Sequence, residues 1–138
     1  MKLFPAIDLK DNRCVRLTQG KEELLTIFND NPVEQALFFQ NQGCERLHLV
    51  DLDGAFGRKD INKETIIRIR EKTNMKIELG GGIKSEDDVS FWLKKGINYL
   101  IIGSLAMQDL NTAKKIIKKY ENKIYIALDV FKKKIMIK

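Results

Sequence analysis

Apolar residues in this chain follow two rhythms that take turns. Short continuous apolar runs alternate with longer stretches in which apolar positions recur at helical spacing. The first run, 3–8, closes on Asp8 and is followed by a second extended stretch, 13–18. A polar loop is expected over 19–29. Asp30-Asn31-Pro32 then opens a helix, a capping residue followed by proline in the first turn. Val33, Ala36, Leu37 and Phe38 keep helical spacing, and Gly43 ends that helix. Run 47–50 closes on Asp51 and leads through a loop, 53–57, to a helix carried by 65–69. Run 76–79 ends at Gly80-Gly81-Gly82. Ser85 starts the next helix, with Glu86, Asp87 and Asp88 complementing the helix dipole in its first turn, and Gly96 ends it. Run 99–102 ends at Gly103-Ser104, a helix covers 112–120, and 124–128 is the fifth strand.

Strand–helix alternation of this kind implies parallel strands joined by helical crossovers. It does not by itself fix the strand order, and a doubly wound open sheet would alternate in the same way. A repeat favours a barrel. Ala6-Ile7-Asp8-Leu9 returns as Ala127-Leu128-Asp129-Val130, offset by 129 − 8 = 121 residues. Each aspartate is followed by a basic turn (Lys10-Asp11-Asn12-Arg13, then Lys132-Lys133-Lys134) and a further extended run. A unit of this length, doubled, gives the roughly 250 residues of a (β/α)₈ barrel. The expectation is a single domain, 1–138, forming the amino-terminal half of such a barrel: four βα units plus a fifth strand. Strands one and five of that barrel lie on opposite sides of its mouth. The half-barrel would leave two sheet edges open and apolar inner faces uncovered, which favours self-association.

Composition narrows the class. Of the 138 residues, 43% are hydrophobic and 32% charged, which suits a soluble globular chain and not a disordered one. The net charge of +6 comes largely from lysines on helix faces and suits an anionic substrate. No basic patch interleaved with aromatics points to nucleic acid. Cys14 and Cys44 lack paired or metal-like spacing and read as free thiols. A single histidine, His48, excludes a multi-histidine metal site. With no leader pattern and no membrane-length apolar run, the expected address is the cytosol.

Candidate chemistry sits where strands end. Asp8 and Asp129, in repeated contexts, suit a pair of carboxylates in which one removes a proton and the other donates one. Gly80, Gly81 and Gly82, and then Gly103 and Ser104, lie where two consecutive strands hand over to helices. Glycines there allow close backbone approach and outward N–H groups, the makings of a phosphate cradle. They match no nucleotide fingerprint. Arg16 suits a phosphate or carboxylate partner, with Gln19 beside it. Asp51, at a strand end, is a further possible mouth residue. His48, three residues earlier, reads as a hydrogen-bonded structural residue, and Trp92 as packing.

Six segments carry a resemblance: Pro5-Ala6-Ile7-Asp8-Leu9, Val15-Arg16-Leu17, Leu47-His48-Leu49-Val50-Asp51-Leu52-Asp53-Gly54-Ala55, Gly80-Gly81-Gly82-Ile83, Ile101-Ile102-Gly103-Ser104 and Ala127-Leu128-Asp129-Val130. In this order they resemble the phosphoribosylformimino-aminoimidazole carboxamide ribotide isomerase family of histidine biosynthesis. The resemblance implies a (β/α)₈ barrel that performs an Amadori rearrangement on a substrate with two phosphates, without a cofactor. It implies Asp8 as proton acceptor, Asp129 as proton donor, and the two glycine loops as one phosphate site. The sister cyclase subunit of the pathway shares the fold and the strand-end aspartates. It usually reads Cys-Leu-Asp-Val in strand one and lacks the His-Leu-Val-Asp-Leu run, and this chain follows the isomerase at both places. The family's second phosphate site, after strands seven and eight, falls outside these residues, so an inactive half-barrel that only binds phosphate is the alternative.

Overall fold

The computed structural model describes residues 4–18, 21–127, 129–131 and 134–136, with backbone alone at 22–24 and in the last two segments. Two strands, β1 (Ala6–Lys10) and β2 (Arg13–Thr18), form a hairpin, and β3 (Lys21–Asn29) follows. Next come α1 (Pro32–Asn41), β4 (Arg46–Asp51), the single-turn α2 (Leu52–Ala55), α3 (Lys63–Lys72) and β5 (Lys76–Gly80). They are followed by α4 (Glu86–Lys94), β6 (Tyr99–Ile102), α5 (Ser104–Gln108), α6 (Leu110–Lys119) and β7 (Ile124–Ile126). A last hairpin pairs β8 (Asp129–Phe131) with β9 (Lys134–Met136).

Local chemistry sets the helix starts. Asn31 accepts a hydrogen bond from the Glu34 N–H at 3.1 Å, ahead of Pro32 in the first turn. Ser85 does the same for the Asp88 N–H, and Asp109 for that of Thr112, each at 3.1 Å.

Seven strands form one sheet in the order β3-β2-β1-β4-β5-β6-β7. From β1 through β7 the parallel strands follow chain order with no reversal. A doubly wound sheet has a switch point where that order reverses, so the open-sheet alternative falls. Right-handed crossovers in an unreversed order place every helix on one face. The burial pattern agrees. Ile7, Leu9, Leu47, Leu49, Ile77, Leu79, Leu100 and Ile102 are buried in one core with Ala36, Ile66, Ile69, Val89, Trp92, Ala113 and Ile116 from the helices. Fully burying such a side chain is worth about 1.5–3 kcal/mol, enough for the alternation to decide which way each strand faces. The alternate positions, including Asp8, His48, Val50, Glu78, Tyr99 and Ile101, point to the helix-free inner face and are only partly covered. This is the singly wound arrangement of a (β/α)₈ barrel, present as a part of its wall.

Four expectations change. The polar loop over 19–29 is largely strand: β3 pairs with β2 at Ile27 with Val15, Thr26 with Arg16 and Leu25 with Leu17. The charges at its start disguise a β-prone end whose partner is β2. The edge of β1 is not open along its carboxyl half, where Asp8, Leu9 and Lys10 pair with Val15, Cys14 and Arg13. Among the described residues the sheet edges are β3 and β7. The inner face is not mainly apolar, since Asp8, His48, Glu78 and Arg46 share it. Finally, the fifth strand ends at Ile126. Asp129 opens the separate β8–β9 hairpin, and Leu128 lies outside the described residues.

That last hairpin repeats the first. Asp129 pairs with Met136, Val130 with Ile135 and Phe131 with Lys134. Shifting Asp8–Val15, Leu9–Cys14 and Lys10–Arg13 by 121 residues gives the same three pairs. The repeat seen in the sequence is therefore a repeat of register.

Candidate functional site at the carboxyl ends of the strands

Asp8 lies within β1, between Val50 on β4 and Val15 on β2. Its neighbours Ile7 and Leu9 point into the core, so parity turns Asp8 to the inner face. Burial raises its carboxyl above the usual aspartate value, against the opposing charges of His48 and Arg16. His48 lies on the same face and holds Glu78 through Nδ1 at 2.9 Å. Arg46 continues that row, 4.0 Å from the Glu78 carboxylate and 5.2 Å from the centroid of the Tyr99 ring. Arg16, on β2, lies over the Phe28 ring at 5.4 Å. Gln19 lies outside the described residues.

The two glycine segments come together. Gly80, Gly81, Gly82, Gly103 and Ser104 line one cavity of ≈ 300 Å³ with His48, Val50, Ile101 and Ala127. Val50 is the register partner of Asp8, and Ala127 stands two residues before Asp129. The Asp129 side chain is outside the described part; its backbone opens the β8–β9 hairpin.

The glycines also have a structural duty. Gly81 has φ +98°, and a Cβ there would stand 2.3 Å from the Asp51 carbonyl oxygen. Gly82 has φ +75°, and its Cβ would stand 2.8 Å from the Gly54 backbone. The loop is thus pressed backbone to backbone against the Asp51–Gly54 turn, and only glycine fits.

Asp51 is corrected. It shares the parity of Leu47 and Leu49, so its carboxylate faces the helix side and is 9% exposed. There it caps α2, accepting from the Gly54 N–H at 3.0 Å and from Asn62 Nδ2 at 2.8 Å. Burial, with the nearby Asp53 and Asp60, raises its carboxyl.

Asp53, Asn62 and Asn12 were missed. The tight turn between β1 and β2 has positive φ at Asp11 and Asn12, 49° and 62°. Its two N–H groups donate to buried side chains from far along the chain: Asp11 to Asp53 Oδ2 and Asn12 to Asn62 Oδ1, both at 2.8 Å. Asn62 Nδ2 lies within reach of Asp51 Oδ1 (2.8 Å), Asp53 Oδ2 (3.0 Å) and the Leu9 carbonyl (3.3 Å). Arg58 Nε donates to Asp53 Oδ1 at 2.9 Å. Burial disfavours the Asp53 carboxylate, but the bonds from Asp11, Arg58 and Asn62 outweigh it and hold its proton affinity below the ordinary value. Asp11-Asn12 is a readable turn signal, whereas nothing local announces Asn62.

A second cavity of ≈ 340 Å³ lies behind the glycine loop, lined by Asp51, Lys59, Lys63, Lys84, Asp88 and Trp92 among others. Among the described residues there is no group of three or more histidine, cysteine or acidic side chains placed to hold a metal ion. No helix among them is long and apolar enough to cross a membrane.

Parallel strands wound in one direction and helices on one face define a (β/α)₈-barrel type of protein, a fold whose polar groups gather at the strands' carboxyl ends. The chain belongs to the family of histidine biosynthesis proteins, which matches residues 2–138. It is 46% identical over 127 residues to the 1-(5-phosphoribosyl)-5-((5-phosphoribosylamino)methylideneamino) imidazole-4-carboxamide isomerase of Bacillus subtilis, covering 92% of this chain and 52% of that protein. The isomerase of the same name from Nitrobacter hamburgensis is 46% identical over 129 residues, 94% of this chain and 52% of the relative. That of Clostridioides difficile is 36% identical over all 138 residues and 58% of its own length. The chain thus spans about half the length of the relatives it matches.

Proposed function

We propose that this chain supplies the amino-terminal half of the active site of an aldose–ketose isomerase of histidine biosynthesis, acting on a ribotide with two phosphates. The observation that carries the reading is the doubled hairpin, with Asp8 and Asp129 at the same register position 121 residues apart. Asp8 is the proton acceptor and Asp129 the donor. A proton delivered to the ring oxygen opens the aminoaldose to a Schiff base. Removal of the C2 proton gives an enolamine, and its tautomerisation gives the aminoketose. A donor and an acceptor on opposite sides of the substrate suffice, and no cofactor is needed. The raised proton affinity of Asp8 suits a base that must hold the proton it removes.

The glycine cavity takes one terminal phosphate. Gly80, Gly81 and Gly82 shape its floor, Gly103 and Ser104 its rim, and Arg16 adds positive charge at the mouth. Anchoring at a distance orients the reacting carbons. The half-length match supports a second reading, in which these residues alone bind phosphate and turnover requires the rest of a barrel.

Steady-state turnover of the ribotide tests both. The whole protein, in the cytosol, is expected to turn over, and Asp8→Asn and Asp129→Asn each to lose at least about 10²-fold in kcat, the usual scale of general acid–base catalysis. Near-wild-type turnover in either variant removes that residue from its role. Phosphate binding without turnover by the 138-residue chain fits the second reading.

A further inference from the structure

The turn that follows β4 touches both halves of the candidate site. On one side, Asp53 and Asn62 receive the N–H groups of Asp11 and Asn12, three and four residues beyond Asp8. On the other, the Asp51 and Gly54 backbones carry Gly81 and Gly82 at distances that exclude even a methyl group. Asn62 joins the two sides: its amide reaches Asp51, Asp53 and the Leu9 carbonyl, next to Asp8 in β1. Asn62 and Asp53 are fully buried, and Thr65 Oγ1 adds a bond to Asn12 Oδ1 at 2.6 Å.

We propose that Asn62 is a positioning residue that sets the placement of the Asp8 hairpin relative to the Gly81-Gly82 phosphate loop. Neither half is fixed by its own local structure. A two-residue turn is compatible with a range of hairpin tilts, and a glycine loop with positive φ has many alternatives in the unfolded chain. The buried amide removes that freedom in the hairpin directly, because its groups are satisfied only when hairpin and turn are both in place. The loop follows through the Asp51 and Gly54 backbones on which Gly81 and Gly82 are pressed. The distance between the proton acceptor and the phosphate cradle is then a property of one side chain that touches neither substrate phosphate nor reacting carbon. The inference deepens the acid–base reading of Asp8 and rests on it for its functional meaning.

The test uses Asn62→Ala in this chain and reads geometry directly. The Asp8 carboxyl is titrated by carbon-13 NMR, and the Gly81 and Gly82 amides are followed in proton–nitrogen spectra. In the folded variant the Asp8 midpoint moves, both glycine amides shift, and hydrogen exchange at Asp11 and Asn12 speeds up at least 10-fold. Ile116→Val, a core truncation distant in the fold, leaves all of these as in the wild type. Unchanged Asp8 and glycine signals in folded Asn62→Ala overturn the proposal. Should that variant not fold, Asn62→Ser is read in the same way. In the wild type itself, the amides of Asp11, Asn12 and Gly54 share one opening constant if the turn acts as a unit, and separate constants overturn the proposal. In the complete enzyme, Asn62→Ala lowers kcat and raises KM together. The NMR readings do not depend on turnover, so an active Asp8→Asn enzyme would strike the assigned role of Asp8 and leave the positioning result standing.

Discussion

His48 holds Glu78 across the inner face of the sheet, Nδ1 to Oε1 at 2.9 Å, and by doing so keeps its ring beside Asp8. The charge on His48 opposes the upward pull of burial on the Asp8 carboxyl. His48→Gln is therefore expected to raise the Asp8 proton affinity further. Carbon-13 titration of the carboxyl checks this, and an unmoved or lowered midpoint would show that the pair does not act on Asp8.

Asp8 itself is expected to trade stability for chemistry. Its folded-state proton affinity is above the unfolded value, so the burial penalty is felt in full at neutral pH and is relieved as pH falls. Asp8→Asn removes that penalty. Thermal unfolding is predicted to give a higher Tm for the variant at pH 7, with the gain vanishing below the ordinary aspartate value of 3.8. A lower Tm at pH 7 would mean that the carboxylate is held by bonds and not merely tolerated.

Asp53 is expected to behave in the opposite sense. Its folded value is depressed, so its contribution is present above 3.8 and is lost as pH falls through the folded value. Asp53→Asn presents an amide to the donors of Asp11 and Asn62 and is predicted to cost about 1–3 kcal/mol at pH 7, the scale of an unsatisfied buried group. Denaturant melts at pH 7 and pH 3 should show the gap between variant and wild type narrowing in acid.

Substitutions in the glycine cavity are expected to separate into two kinds. Gly81→Ala drives a methyl into the Asp51 backbone at a positive φ, and a loss of about 3 kcal/mol or more follows from the sum of both strains. Ser104→Glu changes the charge of the rim without touching that packing. It should leave the unfolding free energy within about 0.5 kcal/mol of the wild type, the range of ordinary surface changes, while removing the protection that inorganic phosphate gives against thermal unfolding. Equal protection in both would take the phosphate away from this cavity.

The strand edge at β7 carries Tyr125 and Ile126, 48% and 44% exposed. An exposed apolar edge strand is a template for pairing with another chain. Made alone, the 138 residues are predicted to self-associate, and Ile126→Lys to suppress it. Size exclusion with light scattering decides; a wild-type monomer at all concentrations would refute the edge as a contact.

What was legible in the sequence is what is local. Asn31 and Ser85 announce their helices because a cap bonds three residues ahead. The run-and-helix alternation gave the strands because burial of Leu47, Leu49, Ile77 and Leu79 dominates. The aspartates divide on parity: Asp8 stands between core residues and faces inward, whereas Asp51 follows Leu47 and Leu49 onto the helix side. That signal was present in the text, and the strand-end position obscured it. β3 was hidden because its partner, β2, supplies the reason for it to be extended. Asn62 was invisible, since its meaning lies in Asp11 and Asn12, about fifty residues earlier.

The repeated register has a consequence for how such a chain can change. Between Asp8 and its turn stand Leu9 and Lys10; between Asp129 and the corresponding position stand Val130 and Phe131. In sequence the residues between the paired stretches differ at both positions, Asp11-Asn12 against Lys132-Lys133, yet the aspartates hold equivalent places in the pairing. Place is therefore counted, not spelled. Substitution can change these hairpins while keeping the pairing, but one inserted or deleted residue would slip it and turn the carboxylate to the opposite face of its strand. The aspartates are guarded by arithmetic, and lineages of this fold should show many spellings here and a single length.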